Sequence, residues 1–308
     1  MHNIVILGAS SFIGRQLLQR LSSDKYTVTA FIKNTSLRTS DSLFANQNIS
    51  TITGDYQDPS VLKNLFHKGD IVFNLISSST PNSSAQQPVD EVTNHIDPQV
   101  RLIETACKAN IAKLIFFSSG GGIYGNDTTN KRTETDAIHP SSPHSIAKAT
   151  IEYYQNYFCK KYGVPSLIYR LSNPYGPGQV QKPGFGLIPT LFEHAINNTS
   201  PRLYDNGLAV RDFIYIDDLL DAIMCSYDKN NEFETYNIGS GVGTQIKQVW
   251  ELIKQITQSE TQPIYLPKRE FDIHSNVLDI QRFAGEFGWE PKIQLIEGLK
   301  KTLAVAQR

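Results

Sequence analysis

The segment Gly8-Ala9-Ser10-Ser11-Phe12-Ile13-Gly14 stands directly after a short apolar run and opens an amphipathic one. Glycine at such a turn lets backbone N–H groups approach a pyrophosphate held at a helix N-terminus. Gly8, Ser11, Phe12, Ile13 and Gly14 are therefore expected to hold a dinucleotide. Ser11 takes the middle position of the usual three glycines, and its hydroxyl can donate to phosphate. A ribose with a free 2′-hydroxyl needs an acidic partner about 20 residues further on. From Lys25 to Ser40 there is no Asp or Glu; the second apolar run ends on Ile32-Lys33, and Arg38 follows. A cation there pairs with a 2′-phosphate that a carboxylate would repel, so Lys33 favours NADP(H) over NAD(H). Cys107, Cys159 and Cys225 are odd in number, far apart and outside any C-x-x-C pattern, which fits reduced thiols in a cytoplasmic protein and no metal site.

The elements that must position these groups are legible as alternating periodicities. Strand-like runs at 3–7, 28–32, 49–53, 71–75, 114–117 and 166–169 are rich in β-branched and aromatic residues. Between them lie helical stretches at 11–21, at 58–66 behind the capping pair Asp58-Pro59, and at 146–162. Val92, Ile96, Val100, Ile103 and Ala106 form one further helical stripe. This is the pattern of a doubly wound α/β parallel sheet. After Asn173-Pro174 the rhythm changes, strands become rarer, and helices are expected at 187–196, 217–227 and 244–256. The expected organisation is a dinucleotide-binding domain over 1–172 and a smaller mixed substrate lobe over 173–308, some of which returns to the first domain. A cleft between them, at the carboxyl ends of the strands, is the expected ligand position.

The chain has 308 residues, 40% hydrophobic and 19% charged, with 29 Lys+Arg against 30 Asp+Glu and a net charge of -1. No nucleic-acid or membrane field follows from that balance. The longest apolar runs are strand-sized, well short of the roughly 18 residues of a membrane span. Met1 leads straight into a strand, so no leader peptide is expected.

Further motifs follow in a fixed order: Gly54-Asp55, Asn94, the run from Phe117-Ser118-Ser119-Gly120 to Tyr124-Gly125, and the run from Arg170 to Asn173-Pro174-Tyr175-Gly176-Pro177. Then come Arg211-Asp212-Phe213, Tyr236-Asn237-Ile238-Gly239 and Gly288-Trp289. Over about residues 3–303 this order resembles the extended short-chain dehydrogenase/reductase family, specifically its nucleotide-sugar epimerases, dehydratases and reductases, which have a Rossmann sheet. The resemblance implies Asp55 and Tyr56 beside the adenine, with Leu75, Ile76 and Asn94 along the cofactor. It places Asn173, Arg211 and Arg269 on the nucleotide sugar, where guanidinium groups suit a diphosphate. Trp289 is expected in core packing. Relatives of this kind are usually homodimers.

The family's catalytic element is Tyr-x-x-x-Lys, whose spacing puts both side chains on one helix face. Here the segment reads Pro143-His144-Ser145-Ile146-Ala147-Lys148, so Lys148 is kept and His144 replaces the phenol. The family's upstream Ser or Thr falls on Gly120, leaving Ser119 as the nearest hydroxyl. Oxidising an alcohol asks for a stronger base than neutral imidazole, whereas reducing a ketone needs only an acid. The expectation is an NADPH-dependent reductase of a nucleotide-activated 4-keto-6-deoxyhexose in surface polysaccharide synthesis. His144 would donate the proton, Lys148 would hold the cofactor ribose and Ser119 the carbonyl oxygen. Tyr124 is expected to support its loop. The alternatives are a nucleotide-sugar 4-epimerase and a catalytically inactive NADP(H)-binding regulator.

Overall fold

A computed structural model describes residues 3–21, 26–33, 41–44, 49–77, 79–126, 131–181, 186–229, 232–269 and 272–306. Arg38 lies outside the described residues. The chain forms two compact units, one from Met1–Ser118, Pro143–Tyr169 and Ser226–Thr235, the other from Ser119–Ser142, Arg170–Cys225 and Tyr236–Arg308.

The first unit runs β1 (Asn3–Leu7), α1 (Phe12–Leu21), β2 (Thr27–Ile32), β3 (Ile49–Thr53), α2 (Pro59–Leu62) and β4 (Ile71–Asn74). It continues with α3 (Pro81–Gln86), α4 (Pro88–Glu91), a π-helical turn at Val92–Ile96, α5 (Asp97–Lys108), β5 (Lys113–Ser119), α6 (Pro143–Tyr162) and β6 (Ser166–Leu171). With β10 (Glu234–Ile238) these strands form a seven-stranded sheet in the order β10-β6-β5-β4-β1-β2-β3. β1 pairs in parallel with β2 and β4, β2 with β3, and β4 with β5. This is the doubly wound order, and its reversal between β1 and β4 is where such sheets bind ligands. Covered on both faces, β4 and β6 are buried along their whole length, as near-continuous apolar runs require.

Two expectations shift in detail. The helix after Asp58 is capped as expected, Ser60 N donating to Asp58 Oδ1 at 2.8 Å, but it ends at Leu62. The stripe through Val92 is broken by the π turn, in which Asp97 N donates to the Val92 carbonyl. The wider turn rotates Val92 off the apolar face, and it is 54% exposed while Ile103 and Ala106 are fully buried. Pro98 explains the position of the break. Lacking an N–H, it cannot donate to the Asn94 carbonyl four residues back, and that oxygen instead accepts from Tyr56 Oη at 3.1 Å and Gln57 Nε2 at 2.8 Å.

The second unit holds more strands than the sequence rhythm suggests. β7 (Asn173–Tyr175) and β13 (Ser275–Asn276) run parallel to β9 (Val210–Tyr215), and β11 (Gly243–Gln245) runs antiparallel to it. β8 (Arg202–Leu203) pairs with β12 (Ile264–Tyr265). Pieces of two or three residues are too short to show a period, which is why they escape detection. The helices α7 (Leu187–Ile196), α8 (Ile216–Ser226) and α9 (Ile246–Thr257) lie close to the expected bounds, and α10 (Gln281–Phe287) and α11 (Leu295–Ala306) follow. Trp289 packs edge-on against Phe283, ring centroids 5.3 Å apart, in the core. Asp212 is fully buried and accepts from Ser240 N and Oγ, Gly241 N and Leu278 N, so it staples three segments rather than pairing with Arg211 at the surface.

Candidate active site

At the switch point the β1–α1 turn is built by backbone proximity. Gly8 has φ +77°, and a Cβ there would lie 3.3 Å from the Leu75 backbone. A Cβ on Gly14 would run into the carbonyl oxygen of Gly8. Only glycine lets strand and helix approach so closely. Ser11 N donates to the Gly8 carbonyl at 2.9 Å, and Ser11 Oγ caps α1 by accepting from Gly14 N at 3.1 Å. The first turn of α1 leaves the N–H groups of Phe12 and Ile13 without intrahelical acceptors, a cradle that fits a pyrophosphate.

Leu75 and Ile76 are buried just beyond β4, with Leu75 N bonded to the Leu7 carbonyl at 3.1 Å. Lys33 and Asp55 meet as an ion pair at 2.8 Å. Lys33, with a backbone bond from Gln57, holds the Asp55 carboxyl below its usual range. Tyr56 is buried with its hydroxyl on the Asn94 carbonyl, so Tyr56 and Asn94 are joined, while the Asn94 side chain is exposed. The structure thus gathers the β1–α1 turn with Leu75, Lys33 with Asp55, and Tyr56 with Asn94.

His144 and Lys148 share one face of α6, which begins on Pro143. Lys148 is 5% exposed; its Nζ donates to the Phe117 carbonyl at 3.0 Å and lies 4.8 Å from the Phe116 ring centroid. Burial lowers it to about 8, against the pull of Glu152 and Glu91. Burial and then Lys148 drive His144 down to about 3, so the resting imidazole is neutral.

The surroundings of this pair contain residues that sequence reasoning missed. His144 Nδ1 lies 2.9 Å from Ser79 Oγ, which donates to Glu91 Oε1 at 2.7 Å. His144 N donates to Ser84 Oγ at 3.1 Å. His95, in the π turn, is 1% exposed, has no partner for either ring nitrogen among the described residues, and is lowered to about 3 by burial, Lys148 and His144. Glu152, four residues beyond Lys148, was open to detection by helical spacing; Ser79 and Glu91 are too far from His144 in sequence to give any such signal.

The remaining expected residues belong to the second unit. Ser119 is half-buried and makes no side-chain hydrogen bond among the described residues. Asn173 Nδ2 donates to the Asp212 carbonyl at 2.8 Å. Arg269 grips Asp272 through Nε at 2.9 Å and Nη2 at 2.8 Å and stacks over Tyr204. Arg211 donates to the Val210 carbonyl at 2.8 Å; burial lowers its pKa while Asp272 and Asp205 oppose that shift. Tyr124 is fully buried, donates to Asn237 Oδ1 at 2.7 Å, accepts from Arg170 Nη1 at 3.0 Å, and is pushed up to about 12 by burial. A phenol so held braces its loop.

Cys107 and Cys159 are buried free thiols with Sγ atoms 3.7 Å apart. Among the described residues no cluster of three or more His, Cys, Asp or Glu could hold a metal, and no helix is long and apolar enough to cross a membrane.

The fold is thus that of a doubly wound α/β protein with a dinucleotide-type first turn. Residues 4–239 match the model of the NAD dependent epimerase/dehydratase family, and the chain belongs to that family of nicotinamide-dependent enzymes. It is 32% identical to the UDP-glucose 4-epimerase of Thermotoga maritima solved with UDP-glucose, covering 99% of this chain and 98% of that one at a TM-score of 0.89. It is 26% identical to the UDP-glucose 4-epimerase of Mycolicibacterium smegmatis, covering 97% of this chain and 96% of the relative. It is also 26% identical to the dTDP-4-dehydro-6-deoxyglucose reductase of Escherichia coli, covering 98% and 96%.

The family hydroxyl absent at Gly120 has a packing reason. A Cβ there would lie 2.7 Å from Leu278 Cδ1 and 3.1 Å from the Leu171 carbonyl oxygen. Gly120→Ser should therefore destabilise the protein by about 1–3 kcal/mol through overpacking. Adding Leu278→Ala should recover part of that loss rather than add the full cost of a cavity, which urea unfolding of the single and double variants would measure.

Proposed function

We propose that this chain is an NAD(P)H-dependent reductase of the 4-keto group of a nucleotide-activated 6-deoxyhexose, a dTDP or UDP sugar destined for surface polysaccharide. His144 carries the reading. A buried imidazole lowered to about 3 is poorly matched to deprotonating an alcohol, yet once protonated it is a strong acid, and ketone reduction needs an acid. The β1–α1 turn, whose glycines let α1 pack directly against β1 and the Leu75 backbone and whose first N–H groups lack intrahelical acceptors, fits a nicotinamide dinucleotide along Gly8, Ser11, Phe12, Ile13, Gly14, Leu75 and Ile76. When bound in its reduced form, that cofactor supplies the hydride. Lys148, anchored on the Phe117 carbonyl, would hold its ribose. Ser119 would hold the carbonyl oxygen, and Asn173, Arg211 and Arg269 the nucleotide.

NADP(H) is the proposed cofactor. The Lys33–Asp55 pair is exposed, 75% at the lysine, and such pairs contribute roughly 0–1 kcal/mol, so a 2′-phosphate can draw Lys33 away at little cost. The free thiols fit a reducing cytoplasm. Ile146, Tyr153, Tyr154 and Tyr157 lie on α6 at 48%, 65%, 41% and 57% exposure, an apolar stripe that suits a homodimer.

The second reading, a nucleotide-sugar 4-epimerase, is favoured by the relatives of that name, one of them at 32% identity. An epimerase interconverts two sugars with no net cofactor consumption. An inactive regulator would bind cofactor and turn over nothing.

Incubation with NADPH and a panel of dTDP and UDP 4-keto sugars should give net cofactor oxidation and a reduced sugar. His144→Phe should lower kcat by about 100-fold or more. Because the imidazolium is the minor form above its lowered pKa, the wild-type reduction rate should fall as pH rises from about 6 to about 8. Wild-type rate in His144→Phe would sink the proton-donor role. In the same assay Lys33→Ala should erase the preference for NADPH over NADH while leaving the NADH rate unchanged. Sedimentation should show a dimer that Tyr157→Glu converts to monomer; an unchanged dimer would place the interface elsewhere.

A further inference from the structure

His144 stands at one end of a hydrogen-bonded chain whose members come from three separate segments. Ser79 Oγ donates to Glu91 Oε1 at 2.7 Å, and His144 Nδ1 lies 2.9 Å from the same oxygen. A hydroxyl has one hydrogen to give. With that hydrogen on Glu91, Ser79 can only accept from the ring, so neutral His144 carries its proton on Nδ1 and its lone pair on Nε2. The segment around Ser79 is itself fixed, since Thr80 Oγ1 accepts from Ser83 N at 3.1 Å and Ser84 Oγ donates to the Pro81 carbonyl at 3.1 Å. Glu91 is 5% exposed and ends α4, directly before the π turn.

We propose that Ser79 and Glu91 are positioning residues for His144: Ser79 fixes the Nδ1–H tautomer, leaving Nε2 to exchange the proton with the sugar oxygen, and Glu91 supplies the counter-charge when the ring is protonated. The identity of that oxygen rests on the reductase reading; the tautomer does not. In the transfer the Nε2–H bond breaks and an O–H bond forms on the former carbonyl oxygen. The ring returns to its neutral Nδ1–H form, still bonded to Ser79, and recovers a proton from water.

The charges facing the ring support the assignment. Lys148, from α6, opposes a positive imidazole, and His95, from the π turn, is itself lowered by burial, Lys148 and His144. Glu152 pairs its effect with Lys148 on the same helix. Ser79 and Ser84, on the α3 side, are uncharged. Glu91 is thus the carboxylate linked to the ring, through a single hydroxyl, that can favour its charged form. Interposing a hydroxyl keeps the ring's orientation while weakening the Coulomb coupling that direct contact would give.

The tautomer can be read from 15N shifts of the His144 ring in labelled, ligand-free protein near pH ~7.5, with the signal assigned by its loss in His144→Gln. The expected result is a protonated Nδ1 and an unprotonated Nε2. An Nε2–H ring, or an even mixture, would overturn the proposal. Ser79→Ala should lose the tautomer preference and lower kcat for ketone reduction by about tenfold or more, with the sugar KM within about twofold. Ser79→Thr, which restores the hydroxyl, should keep both. Wild-type tautomer and kcat in Ser79→Ala would also overturn the relay. If wild-type protein reduces no nucleotide keto sugar, the reductase reading fails, and the ring tautomer still decides the relay.

Discussion

Placing one ammonium out of water sets the chemistry of the first unit. Lys148 is held between the Phe117 carbonyl and the Phe116 ring, and a buried charge must be paired or give up its proton more readily. Lys148 moves down to about 8 for that reason, with Glu152 and Glu91 restraining the fall. Each neighbouring base then feels both the same dry surroundings and the same cation. His144 and His95 both come down to about 3, so near neutral pH both rings are uncharged and the positive charge of this cluster sits on Lys148. The two buried carboxylates are consequences of this constraint, since their absence would leave the ammonium uncompensated.

Backbone geometry delivers these groups. Gly14 and Gly8 let α1 rise directly from β1, and the order of strands places Leu75 beside that turn. On the other side of β4, the missing N–H of Pro98 opens the helical run before α5 into a π turn, a form that often marks functional sites. The turn sets His95 inward and Val92 outward and frees the Asn94 carbonyl to anchor Tyr56 and Gln57. A single proline thus links the loop after β3 to the segment carrying Glu91 and His95.

The parts that could be read from the sequence are those with short-range signatures. The glycine turn, the buried strands, the Asp58 cap and the His144–Lys148 spacing each rest on neighbours within a few residues, and each recurs in the structure. The family likewise follows from motifs in order. What escaped depends on distant pairing: Ser79 meets His144 across 65 positions. The π turn escaped because periodicity treats Val92 to Ala106 as one regular helix. Lys33 read as a free cation because nothing local announces Asp55 across the strand order. The short strands of the second unit form by pairing with β9, and a two-residue piece such as Ser275–Asn276 has no period to read.

The two departures from the family's catalytic set differ in kind, and the difference bears on whether the site is decayed. At Gly120 the missing hydroxyl is matched by Leu278, whose methyl groups occupy the space a side chain would need, so the change is a volume exchange within a packed core. At His144 the proposed reading puts one proton-carrying group in place of another, and the ring is linked through Ser79 to a carboxylate. Buried polar groups without partners are costly features. His95 is such a feature: a buried ring without partners among the described residues is destabilising by roughly 1–3 kcal/mol, and an apolar side chain of similar size would relieve that. That cost, beside a buried lysine, two buried carboxylates and a ring bonded through Ser79 to Glu91, supports the proposed reading of a proton-transfer site over that of a simple cofactor-binding surface.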